Sequence, residues 1–536
     1  MESCQVVVVG SGFAGTILAR ILHRLGLKVA LVERDRHPRF AIGESSTPLA
    51  ALCLERLARA YEMPDLERLA AYGKWMAHMP EVRRGLKRGF TFYRHLGGVE
   101  LVDSPGNEHR LLVAASPDDA VADSHWLRED VDHHLVQLAV AEGVDYRDRT
   151  EIRGLRQIAG ERWLLSGVSN DNPFELAADF LIDGSGAGGF LAKARPIESV
   201  LEEVELDTAL VFGHFTSLGS FPELNPGPYP DQRAAVHHLL DEGWMYVLPF
   251  DHGVVSAGIL LRREAIEELA TAGFDSPESI WQQVIRRYPT LERQFESAVP
   301  VRPLELMPRV QRRLQSAAGE SWAVLPHTYS FLDPMFSTGI AWSLLAVERL
   351  AMIFDAGSDG GKIAPDAIDA SLLRYGRQLA VEAQHMATLL DGAYLAMRDF
   401  DLFAAQSFLY FATVSFDEVD QRLFPEGHTG QPPAWRGFLG AGDTRLESIF
   451  AESKRRLSEI LLGREGEPRS QEREDFVSWI AEAIADRNLA GLADPDRRNL
   501  YPVDLDLLVE RADLVGLTPQ EMRTQLPRLR GNSERT

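Results

Sequence analysis

Four consecutive valines, Val6 to Val9, run straight into Gly10-Ser11-Gly12-Phe13-Ala14-Gly15, and few local patterns constrain a fold as tightly. The valines form a β-branched run bounded by glycine, as expected of a strand buried on both faces. Ile17, Leu18, Ile21, Leu22 and Leu25 then recur at helical spacing, and Lys28 to Glu33 reads as a second strand closing a βαβ unit. Each glycine has a mechanical task. Gly10 permits the tight turn, Gly12 lets backbone approach a pyrophosphate, and Gly15 lets the helix lie close to the strand. Glu33 ends the second strand where a carboxylate can accept hydrogen bonds from both ribose hydroxyls, and its charge would repel a 2′-phosphate. The bland alternative is an ordinary strand-turn-helix with a surface glutamate.

A second glycine cluster, Asp183-Gly184-Ser185-Gly186-Ala187-Gly188, follows the apolar strand Phe180 to Ile182. No acidic or arginine ribose reader ends a strand at the expected distance beyond it, so it does not mark a second nucleotide domain. Between Gly97 and Arg309, short extended candidates (Trp163 to Val168, Ala209 to Thr216, Met245 to Phe250) alternate with turn-rich pieces, which points to a mixed sheet. From about Trp342 the pattern turns helical. Gly463 to Glu474 is charged and poor in apolar residues, and the tail from Gly531 is polar; mobility is expected of both.

Composition narrows the function. With 536 residues, 45% of them hydrophobic, the chain can bury a large core and form more than one lobe. The balance of 56 basic against 79 acidic residues argues against a nucleic-acid or anionic-membrane surface. Cys4 and Cys53 are the only cysteines, so neither a disulfide framework nor a four-cysteine metal site is expected, and a reducing, cytoplasmic setting fits. The opening residues read as a strand rather than a signal peptide, and no apolar run reaches the length of a membrane span. His133-His134 and His237-His238 are adjacent pairs without a carboxylate at ligand spacing, so no metal is expected.

Four further segments follow in order. Pro38-Arg39-Phe40-Ala41-Ile42-Gly43-Glu44-Ser45-Ser46-Thr47-Pro48 continues from the second strand. Lys87 sits in Arg83-Arg84-Gly85-Leu86-Lys87-Arg88-Gly89-Phe90-Thr91-Phe92, where strand alternation puts it on the face opposite Leu86 and Arg88. Trp244-Met245-Tyr246-Val247-Leu248-Pro249 is an aromatic-rich extended segment, and Asp333-Pro334-Met335-Phe336-Ser337-Thr338-Gly339-Ile340 leads into an apolar helix. Together these motifs resemble those of the flavin-dependent halogenases, closest to the branch that halogenates free phenols in pyoluteorin-type pathways. The resemblance spans roughly Met1 to Leu350 and is weak beyond. Pro326-His327-Thr328 departs from the Gly-Asp-Ala of many members, Tyr246 and Leu248 replace a tryptophan and an isoleucine, and Phe336 stands where the tryptophan-specific branch has a glutamate.

The resemblance implies an α/β fold: an FAD-binding, Rossmann-like domain of the glutathione-reductase or aromatic-hydroxylase type, a mixed-sheet substrate lobe and a helical C-terminal region. Residues 1–350 would form the core, with FAD-binding segments at about 1–48, 120–195 and 300–350 and a substrate lobe at about 75–120 and 196–300. Residues 351–536 would cover the substrate site. It implies FAD, used as FADH2, held by Gly10, Gly12, Phe13, Ala14, Gly15, Glu33, Gly43, Ser45, Thr47, Arg128, Asp183, Asp333, Gly339 and Ile340. Chloride or bromide would sit at the Thr338 and Gly339 backbone, a helix N-terminus suited to an anion. Trp244, Tyr246 and Pro249 would separate flavin from substrate, with Phe90 and Phe336 in the substrate pocket. Reduced FAD and oxygen would give a C4a-hydroperoxide, halide would convert it to hypohalous acid, and Lys87, as ammonium or haloamine, would aim the halogen at an electron-rich, phenolic ring. Lys74 is the competing lysine. A separate NAD(P)H-dependent flavin reductase is implied as partner, and a homodimer is compatible. Two alternatives remain open at this point: a single-component FAD-dependent aromatic hydroxylase, and a flavin-binding protein without turnover.

Overall fold

Val6, Val7 and Val8 are fully buried, because their strand has parallel neighbours on both sides and the helix Phe13–Arg24 packs against it. The computed structural model describes residues 2–158, 162–222, 224–427, 432–461 and 468–529. The elements that position the site are, in chain order, β1 (Glu2–Val9), α1 (Phe13–Arg24), β2 (Val29–Val32), β3 (Arg84–Lys87), β4 (Gly89–Arg94), β5 (Asp123–Trp126), α2 (Arg128–Glu142), β6 (Asn172–Asp183), β7 (Ala235–Leu239), β8 (Gly243–Pro249), β9 (Trp322–Val324), α3 (Thr338–Ala356), α4 (Pro365–Ala396) and α5 (Phe400–Leu423).

The first sheet has eight strands, with β9, β6, β1 and β2 adjacent and parallel. Parallel pairing needs crossovers that cover the faces, and α1 packs against both α2 and α3. Arg162–Ser169, containing the expected Trp163 to Val168 strand, extends β6 in antiparallel fashion.

The second sheet has nine strands in the order Val299–Pro300, Thr208–Thr216, Val255–Arg262, β8, β7, β4, Arg110–Ala114 and Leu500–Tyr501, with Glu305–Met307 off the main path. Alternation sorts its two faces. Phe90, Phe92, Trp244 and Tyr246 belong to the large core shared with the first sheet, whereas Tyr93, Met245 and Val247 join a separate cluster around Trp281 and Tyr288. The Phe90 and Phe92 rings meet Phe403, Tyr410 and Phe411 of α5 edge-on. The C-terminal region is therefore more than a cover, since Leu500–Tyr501 also adds an edge strand beside Arg110–Ala114.

Arg88 interrupts the Lys87 segment. Among the described residues β3 belongs to neither large sheet and pairs only with β5, while β4 continues into the second sheet. Lys87 is buried and its neighbours Leu86 and Arg88 are half-buried, as alternation requires. Among the described residues no helix is long and apolar enough to cross a membrane. Residues 462–467 and the tail from Gly531 lie outside the described residues; Ser470 already begins a helix, Ser470–Ala483, so the expected mobility does not extend to it.

Candidate active site

β1 ends at Val9 and the chain turns at Gly10 with φ +99°, a left-handed conformation glycine adopts without strain. The second glycine turn arrives at the same place: a Cβ on Gly10 would lie 2.5 Å from the Gly184 carbonyl oxygen. A Cβ on Gly15 would lie 2.2 Å from the Gly10 oxygen, so α1 can start here only on glycine. Gly12 differs, its nearest neighbour being the Arg128 guanidinium, 3.4 Å from where a Cβ would stand.

These turns border a cavity of about 750 Å³, within the range of small-molecule sites. Gly10, Gly12, Phe13, Ala14, Gly15 and Glu33 line it beside β1 and β2; Gly43, Ser45 and Arg128 line it along the Pro38 to Pro48 strap; Asp333, Thr338, Gly339, Ile340, Trp244 and Tyr246 also face it. The second turn, Gly184 to Gly188, borders this same cavity.

Glu33 is held ready as an acceptor. Its carboxylate receives the Ser11 amide at 3.0 Å, the Ser11 hydroxyl at 2.8 Å and the Asp35 amide at 3.0 Å. Burial disfavours its charge, yet Arg39 and the two amides outweigh burial and keep the carboxyl below its usual range. Glycine turns and a charged acceptor beside them, in one cavity with an aromatic wall and a helix N-terminus, fit FAD. Glu33→Ala is expected to weaken FAD binding about tenfold or more, at about 1.5 kcal/mol for a charged hydrogen bond; titration of flavin fluorescence measures it.

Three residues expected at the cofactor are engaged within the fold. Arg128 lines the cavity, but its guanidinium is clamped by Asp132 at 2.8 Å and donates to the Ile42 and Gly43 carbonyls. Asp132 in turn accepts the Phe13 amide, so the pair ties the strap to the glycine turn. Asp183 does not line the cavity. Its two oxygens accept the Ser185 and Leu191 amides, which makes it the builder of the second turn. Thr47 is also set back, as the residue preceding helix Pro48–Ala60.

α3 begins beside the cavity. Ser337 precedes it with φ 52° and its hydroxyl donates to Ser45, while Thr338, Gly339 and Ile340 present first-turn amides that have no intrahelical acceptor. Asp333 accepts the Met335 amide and the Tyr394 hydroxyl, at 2.6 Å, and burial pushes its carboxyl up to about 7. Tyr394 also receives the Trp244 indole N–H at 2.9 Å, so α4 helps to fix the aromatic wall. His327, in the Pro326-His327-Thr328 departure, lines the cavity with a buried Nε2 that has no partner among the described residues. Burial lowers its pKa to about 3, which leaves the ring neutral. Arg312 lines the cavity as well and makes no ion pair among the described residues; burial pulls it down to about 10. Arg312 carries no recognisable sequence signal, whereas the departure from Gly-Asp-Ala points to His327.

Trp244 and Tyr246 are fully or almost fully buried and form the wall with His237, whose ring stacks on Phe92 at 4.5 Å and on Trp244 at 5.3 Å. Pro249 does not belong to this wall. It lines a cavity on the opposite face of the sheet, because odd positions along β8 point away from Trp244 and Tyr246.

Lys87 has no solvent exposure. Its Nζ donates to the Ser46 carbonyl at 2.6 Å and lies 4.0 Å from the centre of the Phe90 ring. Burial lowers its pKa and Asp123 acts against that; burial raises the Asp123 carboxyl and Lys87 acts against that. Lys87, Phe90 and Phe336 do not line the large cavity, but Ser45, next to the residue that receives the amine, does. The space around the amine is aromatic: Phe336 stacks on Tyr410 at 4.5 Å, and Phe90 meets Phe411 at 5.3 Å. Lys74, the competitor, is a surface residue paired with Glu67 at 3.0 Å.

A model of the family described as FAD dependent oxidoreductase matches residues 5–324. The chain is 27% identical over 368 residues to the tetracycline 7-halogenase of Kitasatospora aureofaciens, a match covering 64% of each chain and so just under two thirds of that protein. It is 23% identical over 480 residues to the monodechloroaminopyrrolnitrin halogenase PrnC of Pseudomonas fluorescens, covering 86% of this chain and 82% of that one. It shares the fold of halogenase PltM, solved in complex with phloroglucinol and FAD, with a TM-score of 0.79 at 22% identity over 93% of this chain and 99% of that one. Glycine turns, the Glu33 carboxylate, cavity and family model agree: the chain belongs to the FAD-dependent oxidoreductase family, and the curated relatives it matches include proteins named as halogenases, several of them as flavin-dependent halogenases.

Proposed function

We propose that this protein halogenates an electron-rich, phenolic ring, using reduced FAD, oxygen and chloride or bromide. The observation that carries the reading is Lys87: a solvent-free amine, with its pKa lowered by burial, anchored to the strap that lines the FAD-sized cavity. Bound and reduced, FAD supplies the activation of oxygen that oxidises the halide. Gly10, Gly12, Phe13, Ala14, Gly15, Glu33, Gly43, Ser45, Asp333 and Ile340 hold it, and the first-turn amides of Thr338 and Gly339 hold the anion beside it. Trp244, Tyr246 and His237 keep the ring substrate away from the flavin and exclude water from the path of the hypohalous acid. The Lys87 ammonium hydrogen-bonds the oxygen of that acid and supplies its proton as the halogen leaves. A lysine suits this task because its charge responds to burial and its amine is compact and movable. The ring enters by displacing part of the Phe336, Tyr410 and Phe411 cluster. A separate NAD(P)H-dependent reductase delivers the flavin electrons, since the second glycine turn serves the same cavity as the first.

One observation favours a second reading, hydroxylation of a ring directly at the flavin: Lys87 does not line the cavity. A panel of phenols incubated with FAD, a flavin reductase and bromide separates the two by product mass. A brominated ring is expected, and none when NAD(P)H is supplied without the reductase; an oxygenated ring from NAD(P)H alone would establish the hydroxylase instead.

A further inference from the structure

We propose that Asp123 is a second catalytic residue, the base that takes the proton released by the ring carbon as it is halogenated; this rests on the halogenation reading above. β3 and β5 pair antiparallel with Lys87 directly opposite Asp123, so the two side chains share one face of this two-stranded sheet. Both are enclosed, Lys87 with 0% and Asp123 with 5% of its surface exposed. They are nonetheless not closed into an ion pair. The lysine donates to the Ser46 carbonyl, and Asp123 Oδ2 is buried without a hydrogen-bond partner among the described residues. A carboxylate buried and left unsatisfied is costly, and such cost is concentrated at functional sites.

The charged surroundings leave Lys87 as the nearest counter-charge in effect. Glu418 and Arg422 of α5 also act on Asp123, in opposite directions, but Arg422 is engaged by Glu55 and Glu418. His125 and His237 feel the lysine and are kept neutral by burial. Tyr410 feels Asp123, which places that hydroxyl-bearing ring, Phe90 and the two charged groups in one cluster.

The chemistry balances. A π pair of the ring attacks the halogen of hypohalous acid, the oxygen–halogen bond breaks, and the leaving hydroxide takes a proton from the Lys87 ammonium to become water. The attacked carbon then bears both hydrogen and halogen. Its proton passes to the Asp123 carboxylate and the C–H electron pair returns to the ring. Transfer of that proton from Asp123 to the neutral Lys87 amine restores both groups. The sum is an aryl C–H plus hypohalous acid giving an aryl halide plus water.

The test is a competition between ordinary and ring-deuterated resorcinol, with FAD, a flavin reductase and bromide, read by product mass. In the wild type, attack precedes proton loss and the two rings are used nearly equally. In Asp123→Asn, bromination is expected to slow about 100-fold and to prefer the undeuterated ring, because proton loss has become limiting. Asp123→Glu is expected to recover part of the rate. Flavin absorbance and the hypobromite caught by a scavenger should stay at wild-type levels in both variants, which a merely structural role would not combine with a new isotope preference. If Asp123→Asn does not bind flavin, Asp123→Glu carries the test by showing a slower rate with a measurable preference. An unchanged isotope preference in a flavin-bound variant overturns the proposal while the halogenase reading stands. A wild type that makes hypobromite and no brominated resorcinol overturns both.

Discussion

Lys87→Ala is expected to lower bromination of a phenol by at least about 100-fold, the scale of a lost general acid, while FAD binding and oxygen consumption persist. The expectation follows from position. The amine is set behind the strap and contacts no part of the FAD-sized cavity, so cofactor loading does not depend on it. Hypobromite should still form and escape, and a scavenger in solution should collect what the ring no longer receives. The substitution also leaves the Ser46 carbonyl without its donor and Asp123 without its counter-charge, a cost of about 1–3 kcal/mol for each buried polar group so exposed. Lys87→Met, which keeps the apolar stem, separates this structural cost from the chemistry: it should fold better than the alanine variant and be equally inactive.

The largest effect on stability is expected at Arg349 and Glu382, which join α3 to α4. Both side chains are completely buried, with Nη2 and Oε1 at 2.5 Å and Nη1 and Oε2 at 2.9 Å. Further bonds surround the pair: the carboxylate also accepts the Trp342 indole, the Phe438 amide and the Gln378 side chain, and the guanidinium donates to the Ala434 and Arg436 carbonyls. Glu382→Leu leaves a buried cation and should cost about 3–5 kcal/mol, since removal of one partner forfeits the pairing and keeps the desolvation. The double replacement Arg349→Met with Glu382→Leu should lose less than either single change. Denaturant unfolding followed by tryptophan fluorescence measures both. A small effect of the single change would mean that the helical region contributes little to holding α3, and with it the Thr338 and Gly339 amides, in place.

The parts of the site that were legible in the sequence are those assembled within a few residues of chain. β1, the glycine turn and α1 are contiguous, so their chemistry and their geometry are written in one segment, and Glu33 follows from the length of the unit. The same holds for the start of α3, where Thr338 and Gly339 are both the motif and the helix terminus. Alternation along β8 implies that Pro249 points away from Trp244 and Tyr246, a consequence of period that the motif taken as a block conceals. Asp183 is expected at the cofactor from its motif, but a carboxylate's choice between a ligand and its own loop depends on which amides fold back on it, and that is not visible in a linear pattern. Asp123 and His237 come to act on Lys87, and Tyr410 meets the neighbouring Phe90, through strand pairing and helix docking between distant segments, which no local spacing encodes. His327 and Arg312 were hidden for the same reason, although the departure at Pro326-His327-Thr328 marked the place.

The central claim is that oxygen chemistry and ring chemistry occur at separate places, with Lys87 serving the second. Its most direct test is the product formed from a phenol, reduced FAD and bromide under isotope-labelled dioxygen. A ring carrying bromine and no labelled oxygen is expected, with the label recovered in water. A ring carrying the label in a new hydroxyl group would contradict it, because the substrate would then have met the flavin directly.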